Sequence, residues 1–163
     1  MVRVLVSACL MGERVRYDGK KRLCTSSILK QWKDDGRVVP FCPEVAGNLS
    51  VPRLSAEIIA GTGIEVLKES AKVFNINGRD ITESFIKGAR EALRIVKEMQ
   101  IKLAVLKDGS PSCGKTSIYD GSFSGSKRPG KGVTTTLLEK NGISVFSESE
   151  IQKAATYLDK LTA

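Results

Sequence analysis

No histidine occurs anywhere in the 163 residues. That absence removes Ser–His–Asp triads, Cys–His dyads and histidine-containing zinc sites from the chemistry open to this chain. Aromatics are scarce: five Phe, three Tyr and a single Trp. No dense basic block is interleaved with them, which leaves a nucleic-acid partner open without favouring it. No apolar run approaches the length that crosses a bilayer, so no membrane association is expected. Met1 is followed at once by Val2-Arg3-Val4-Leu5-Val6, too short and too strand-like for a secretory leader. The expected compartment is therefore the cytoplasm, where thiols stay reduced. The four cysteines are then better read as ligands, nucleophiles or core residues than as disulfides.

What is present suits a single α/β domain over residues 1–163. Hydrophobic residues make up 41% of the chain and come in short runs separated by turns, enough for a core of its own. Lys and Arg outnumber Asp and Glu by 26 to 18, a balance that favours anionic partners. Strands are expected at 3–7, 38–41, 103–106 and 143–146. Helices are expected at 26–35, from Thr82 through Met99, at 134–140 and at 148–161, the last capped by Ser147 or Ser149. Residues 43–63 read as irregular. Ile64-Glu65-Val66-Leu67 and Lys72-Val73-Phe74 read as a small hairpin with a turn at 75–78. Strands alternating with helices predict a three-layer, Rossmann-like, open and mostly parallel sheet with helices on both faces, plus that hairpin insertion.

Three cysteines stand where such a sheet would gather them. Cys9 follows the first strand, Cys42 follows the second, and Cys113 lies in the Gly- and Ser-rich loop after the third. In an open parallel sheet all the strand carboxyl ends share one edge, and ligands bind in the crevice beyond it. Three thiolates there can hold an iron–sulfur cluster, with one iron left open, or a zinc ion with an open position. Cys24 follows a basic stretch, Lys20-Lys21-Arg22-Leu23, away from any strand end, and is read as incidental. Glu44, two residues past Cys42, has the chemistry of a general acid–base group. Ser110 and Ser112 are candidate hydrogen-bond donors. The run Gly109-Ser110-Pro111-Ser112-Cys113-Gly114-Lys115-Thr116 satisfies the phosphate-loop pattern. The pattern needs a helix opening at Lys-Thr, whereas turn-like residues follow here and Pro111 removes one N–H from the cradle.

These segments resemble a known family, catalogued as domain of unknown function 523, to which thiouracil desulfidases belong. The resemblance is carried by Leu5-Val6-Ser7-Ala8-Cys9-Leu10-Met11-Gly12, Val15-Arg16-Tyr17-Asp18-Gly19, Cys42-Pro43-Glu44, Ser110-Pro111-Ser112-Cys113-Gly114 and Ile118-Tyr119-Asp120-Gly121-Ser122-Phe123-Ser124-Gly125. It implies a 4Fe–4S cluster on Cys9, Cys42 and Cys113, with the open iron taking the sulfur of a thiocarbonyl substrate. It implies non-redox hydrolysis that replaces sulfur by oxygen, with Glu44 as the acid–base residue and Ser110 as the proton shuttle. The implied substrate is a thiolated nucleobase or nucleotide. For a nucleotide, Arg14, Arg16, Lys127, Arg128 and Lys131 are the candidate phosphate contacts. The competing expectation is a non-catalytic iron–sulfur or zinc module that senses redox state or binds nucleic acid.

Overall fold

The computed structural model describes residues 1–20 and 24–163; Lys21, Arg22 and Leu23 of the basic stretch before Cys24 lie outside them. The chain opens with β1 (Val4–Ser7), which runs into a short 3-10 turn at Ala8–Met11. Helix α1 (Ser27–Asp34) starts where the Ser26 hydroxyl accepts the N–H groups of Ile28 and Leu29, and it stops before Gly36 at positive φ. Then come β2 (Val38–Phe41), a one-turn helix α2 (Pro43–Ala46) and β3 (Ala56–Ile59). Helix α3 (Gly63–Leu67), strand β4 (Lys72–Asn75) and the long helix α4 (Thr82–Glu98) follow. After β5 (Leu103–Leu106), the strands β6 (Ser117–Tyr119) and β7 (Lys127–Pro129) form a small antiparallel pair. The chain closes with α5 (Val133–Lys140), β8 (Ser144–Ser147) and α6 (Ile151–Thr162). Ser147 and Glu150 form a capping box ahead of α6.

β2, β1, β5 and β8 lie side by side in that order, all parallel. Successive residues of the central strands point to opposite faces. Val4, Val6, Leu103 and Val105 pack with Leu29, Trp32 and Leu158 on the face covered by α1 and α6. Leu5, Ala104 and Leu106 pack with Ala92, Val96 and Leu138 on the face covered by α4 and α5. Each such aliphatic side chain contributes roughly 1.5–3 kcal/mol when fully buried. Apolar residues on both faces of β1 and β5 therefore fix the three layers, as the sequence predicts. The connection from β1 goes outward to β2, and the chain then returns to place β5 on the other side of β1. The strand order thus reverses between β1 and β5, the point where open α/β sheets bind ligands.

Two expectations need correction. Ile64–Leu67 is the helix α3, not a strand, and the hairpin partner of β4 is β3, in the register Ala56↔Asn75, Glu57↔Phe74, Ile58↔Val73 and Ile59↔Lys72. The β-branched Ile64 and Val66 suggest a strand, but Thr62 bonds the Glu65 carboxylate one turn on. Gly63 also lies against Gly132 so closely that a Cβ would overlap the Gly132 carbonyl. Tertiary contact with the start of α5 outweighs local propensity here. The stretch 43–63 is accordingly only partly irregular, since it contains α2 and β3. Likewise the 107–131 loop contains the β6–β7 pair.

Candidate active site

Each of the three cysteines is held by a different local device at the carboxyl edge of the sheet. Cys9 sits in the 3-10 turn that ends β1, closed by Gly12 at φ +92°. Cys42 caps the first turn of α2, and Pro43 at the first helical position fits because that N–H needs no partner. That turn is seated on α4 by two reciprocal close approaches. A Cβ at Gly88 would overlap the Pro43 carbonyl, and one at Gly47 would overlap the Ser84 carbonyl. Cys113 lies in a turn closed by the Gly114 N–H bond to the Ser110 carbonyl. It is tied forward to α5 through the Thr135 hydroxyl, which donates to the Cys113 carbonyl at 3.0 Å.

The three side chains open into one cavity of about 550 Å³, and Glu44 and Ser110 line it too. All four cysteines are free thiols, and Cys24 packs into the α1–α6 core instead of the cavity. Burial, then the neighbouring Cys42, pushes the Cys9 thiol up to about 11. Burial pushes Cys113 up further, with Cys42, Glu44 and Cys9 adding to it. Cys42 is raised by burial against the pull of the Val45 and Glu44 N–H groups. The thiols thus sit in one another's fields, and three thiolates there call for a compensating positive core. Arg16 and Lys107 oppose part of the repulsion at Cys9. Among the described residues, no three His, Cys, Asp or Glu side chains are gathered tightly enough for one metal ion. Three thiols lining one cavity, with no histidine in the chain, are a donor set that fits a polynuclear iron–sulfur core with one iron free of cysteine.

Glu44 is less free than its loop position suggests. Its Oε2 accepts from Arg53 Nε at 3.0 Å and from the second guanidinium nitrogen, and the two side chains are 15% and 8% exposed. Arg53 also donates to the carbonyls of Val15 and Ser50, so it fixes the carboxylate against two loops. The Ser110 hydroxyl accepts the Cys113 N–H at 2.7 Å, which leaves its own proton to donate. Ser112 faces away from this role: it is buried and bonds Thr134 at 2.8 Å.

The phosphate-loop pattern is occupied from within. Asp108 Oδ1 accepts the N–H groups of Gly109, Lys115, Thr116 and Ser117, and Lys115 pairs with Glu139 at 3.1 Å. The amides that would cradle a phosphate thus hold a carboxylate of the chain itself. Of the five candidate phosphate contacts, only Arg16 and Lys127 line the cavity. Arg128 is turned to the Gly61 carbonyl, Lys131 pairs with Glu139 at 2.7 Å, and Arg14 is exposed elsewhere.

Four residues of the site escape sequence reasoning. Ser7 is buried, accepts the Lys107 N–H at 2.9 Å and lies 3.9 Å from the Cys113 sulfur; its place before Cys9 is the only available hint. Asp108 is signalled weakly by the Asp-Gly pair. Arg53 reaches Glu44 only across the irregular backbone between them, and Glu57 bonds Gly121 and Phe123 more than sixty positions away, so neither carries a sequence signal.

A parallel sheet brings three cysteines to one cavity at its switch point, with a carboxylate beside them, and fold and site together define an α/β protein of the iron–sulfur class. The chain belongs to the 2-thiouracil desulfurase family, whose model matches residues 4–150. It is similar to the uncharacterized protein YbbK of Bacillus subtilis (strain 168), with 43% identity over 148 residues, 91% of this chain and 97% of that protein. Among solved structures it is similar to the 4Fe–4S-dependent thiouracil desulfidase TudS (DUF523Vcz). That match has 42% identity and a TM-score of 0.90, and covers 98% of this chain and 99% of that one.

Proposed function

We propose that this protein is a 4Fe–4S-dependent desulfidase that acts on a thiouracil-type thiocarbonyl. Water supplies the oxygen that replaces sulfur, so a thiocarbonyl and water give a carbonyl and hydrogen sulfide with no net electron transfer. The observation that carries the reading is the opening of Cys9, Cys42 and Cys113 into one cavity beside Glu44. Those three residues are the ligands in this reading. Bound there, the cluster supplies a thiophilic Lewis acid that polarises the C=S bond.

The chain's own groups do the rest. Glu44 Oε2 is committed to Arg53, which leaves Oε1 to take a proton from the attacking water. Ser110, anchored by the Cys113 N–H, donates its proton toward the substrate ring. Lys127 lines the cavity and lies 5.2 Å from the Tyr119 ring centroid; it is the cation placed to meet a phosphate if the substrate is a nucleotide. Among the described residues, no helix is long and apolar enough to cross a membrane, and a reducing compartment such as the cytoplasm suits a buried trio of thiols.

The test is anaerobic reconstitution with iron and sulfide, followed by a sulfide-release assay on 2-thiouracil and 4-thiouracil. Release with one sulfide per uracil formed is expected. Glu44→Gln should keep the cluster's visible absorbance and lose at least about 100-fold in kcat. An iron-loaded protein that releases no sulfide from either compound would be a binding module instead.

A further inference from the structure

Three carboxylates line the cavity: Glu44, Asp108, whose two oxygens are taken up by its own loop, and Glu57, which the reaction does not use. Glu57 lies on β3, is 6% exposed and lines the cavity. Its Oε1 accepts the N–H groups of Gly121 at 2.9 Å and Phe123 at 3.2 Å. Among the described residues, no donor reaches Oε2 and no cation pairs with this cavity-lining side chain. A buried carboxylate with one oxygen unpaired is costly unless something donates to it. The loop it anchors brings Phe123, at φ +54°, to the same cavity beside Tyr119. An acceptor next to aromatic faces is the environment that a flat heterocycle with a ring N–H would complete.

We propose that Glu57 Oε2 accepts the ring N–H adjacent to the thiocarbonyl, and so orients the substrate and selects against rings alkylated at that nitrogen. The proposal rests on the desulfidase reading above and adds a specificity residue to it. A charge-assisted hydrogen bond of this kind is strong, and loss of the donor leaves the carboxylate buried and unpaired.

The test compares 4-thiouracil with its N3-methyl derivative on the iron-loaded protein, in wild type and in Glu57→Gln. The Gln amide oxygen can accept from Gly121 and Phe123 as Oε1 does, so the loop keeps its anchor. The amide nitrogen then replaces the acceptor with a donor. In wild type, N3-methylation should lower kcat/KM about 10- to 100-fold. In Glu57→Gln that penalty should shrink to less than about 3-fold and KM for 4-thiouracil should rise, with melting temperature and iron content unchanged. Calorimetric titration with uracil and 3-methyluracil reads the same preference without turnover. Equal wild-type efficiency on both thiouracils, or a Gln variant that keeps the full discrimination, overturns the assignment of Glu57 alone. Failure of the wild type to release sulfide from any thiouracil defeats the desulfidase reading itself.

Discussion

At Cys113 the burial of the sulfur, the neighbouring thiols and the Glu44 carboxylate all push toward the protonated form. The Ser7 hydroxyl, 3.9 Å away, pulls the other way. Such a residue holds a metal well and is a poor free nucleophile, because it yields its proton only to a strong positive centre. Replacing Cys9, Cys42 or Cys113 by Ala should therefore abolish both iron content and sulfide release. Cys24→Ala should leave the visible spectrum intact, because that side chain packs in the α1–α6 core. Iron analysis of the four anaerobic variants separates the two groups. Glu44 depends on Arg53 in the same way, and neither partner is exposed enough for solvent to replace the other. Arg53→Met should lower stability by about 3 kcal/mol, measured by denaturant titration, because it leaves a buried charge without its partner.

Helix α2 is a single turn, too short to hold its own shape. It is held by its seat on α4, and the seat depends on the absence of side chains at Gly47 and Gly88. Gly88→Ala improves the intrinsic helix propensity of α4. It should nonetheless displace Pro43 and with it Cys42 and Glu44, so that the variant stays folded by circular dichroism but loads little iron. The loop after β5 is built around Asp108, whose carboxyl feels burial first. Bonds from Thr116, Lys115 and Ser117 more than offset that, and hold it below its ordinary value of 3.8. A depressed carboxyl contributes stability above the unfolded pKa and loses it as pH falls through the folded one. The cluster-free protein should therefore melt higher than its Asp108→Asn variant at neutral pH, and the gap should close below about pH 4. Elements with an apolar run of their own, such as β1 and β5, are readable from sequence, and so the three cysteines that follow strands are readable too. Strand β3 is not, because its four residues include a charged Glu57 whose burial depends on the N–H groups of Gly121 and Phe123, more than sixty positions away. Helix α3 misleads for a related reason: its packing partner Gly132 lies in a different part of the chain.

Across the whole molecule, the cavity is lined by two structural groups. The parallel sheet supplies Cys9, Cys42 and Cys113 from its carboxyl edge, whereas β3 and the β6–β7 segment supply Glu57, Tyr119, Phe123 and Lys127. A basic net charge is visible in composition, but composition does not say which cations face the cavity. Three of the five candidates are engaged within the chain: Arg16 by Asp18, Arg128 by the Gly61 carbonyl and Lys131 by Glu139. Lys127→Ala should accordingly raise KM about 10-fold for a thiouridine 5′-phosphate and leave KM for the free base within about 2-fold, as read from steady-state sulfide release. Equal effects on both would place the phosphate elsewhere. The division of labour between the two groups also bears on how such a protein can be re-engineered. Residues on the two antiparallel pairs are the positions to randomise toward different thiolated rings, while the half that carries the three cysteines, with its own cores on both faces of the sheet, stays untouched as a reusable chassis.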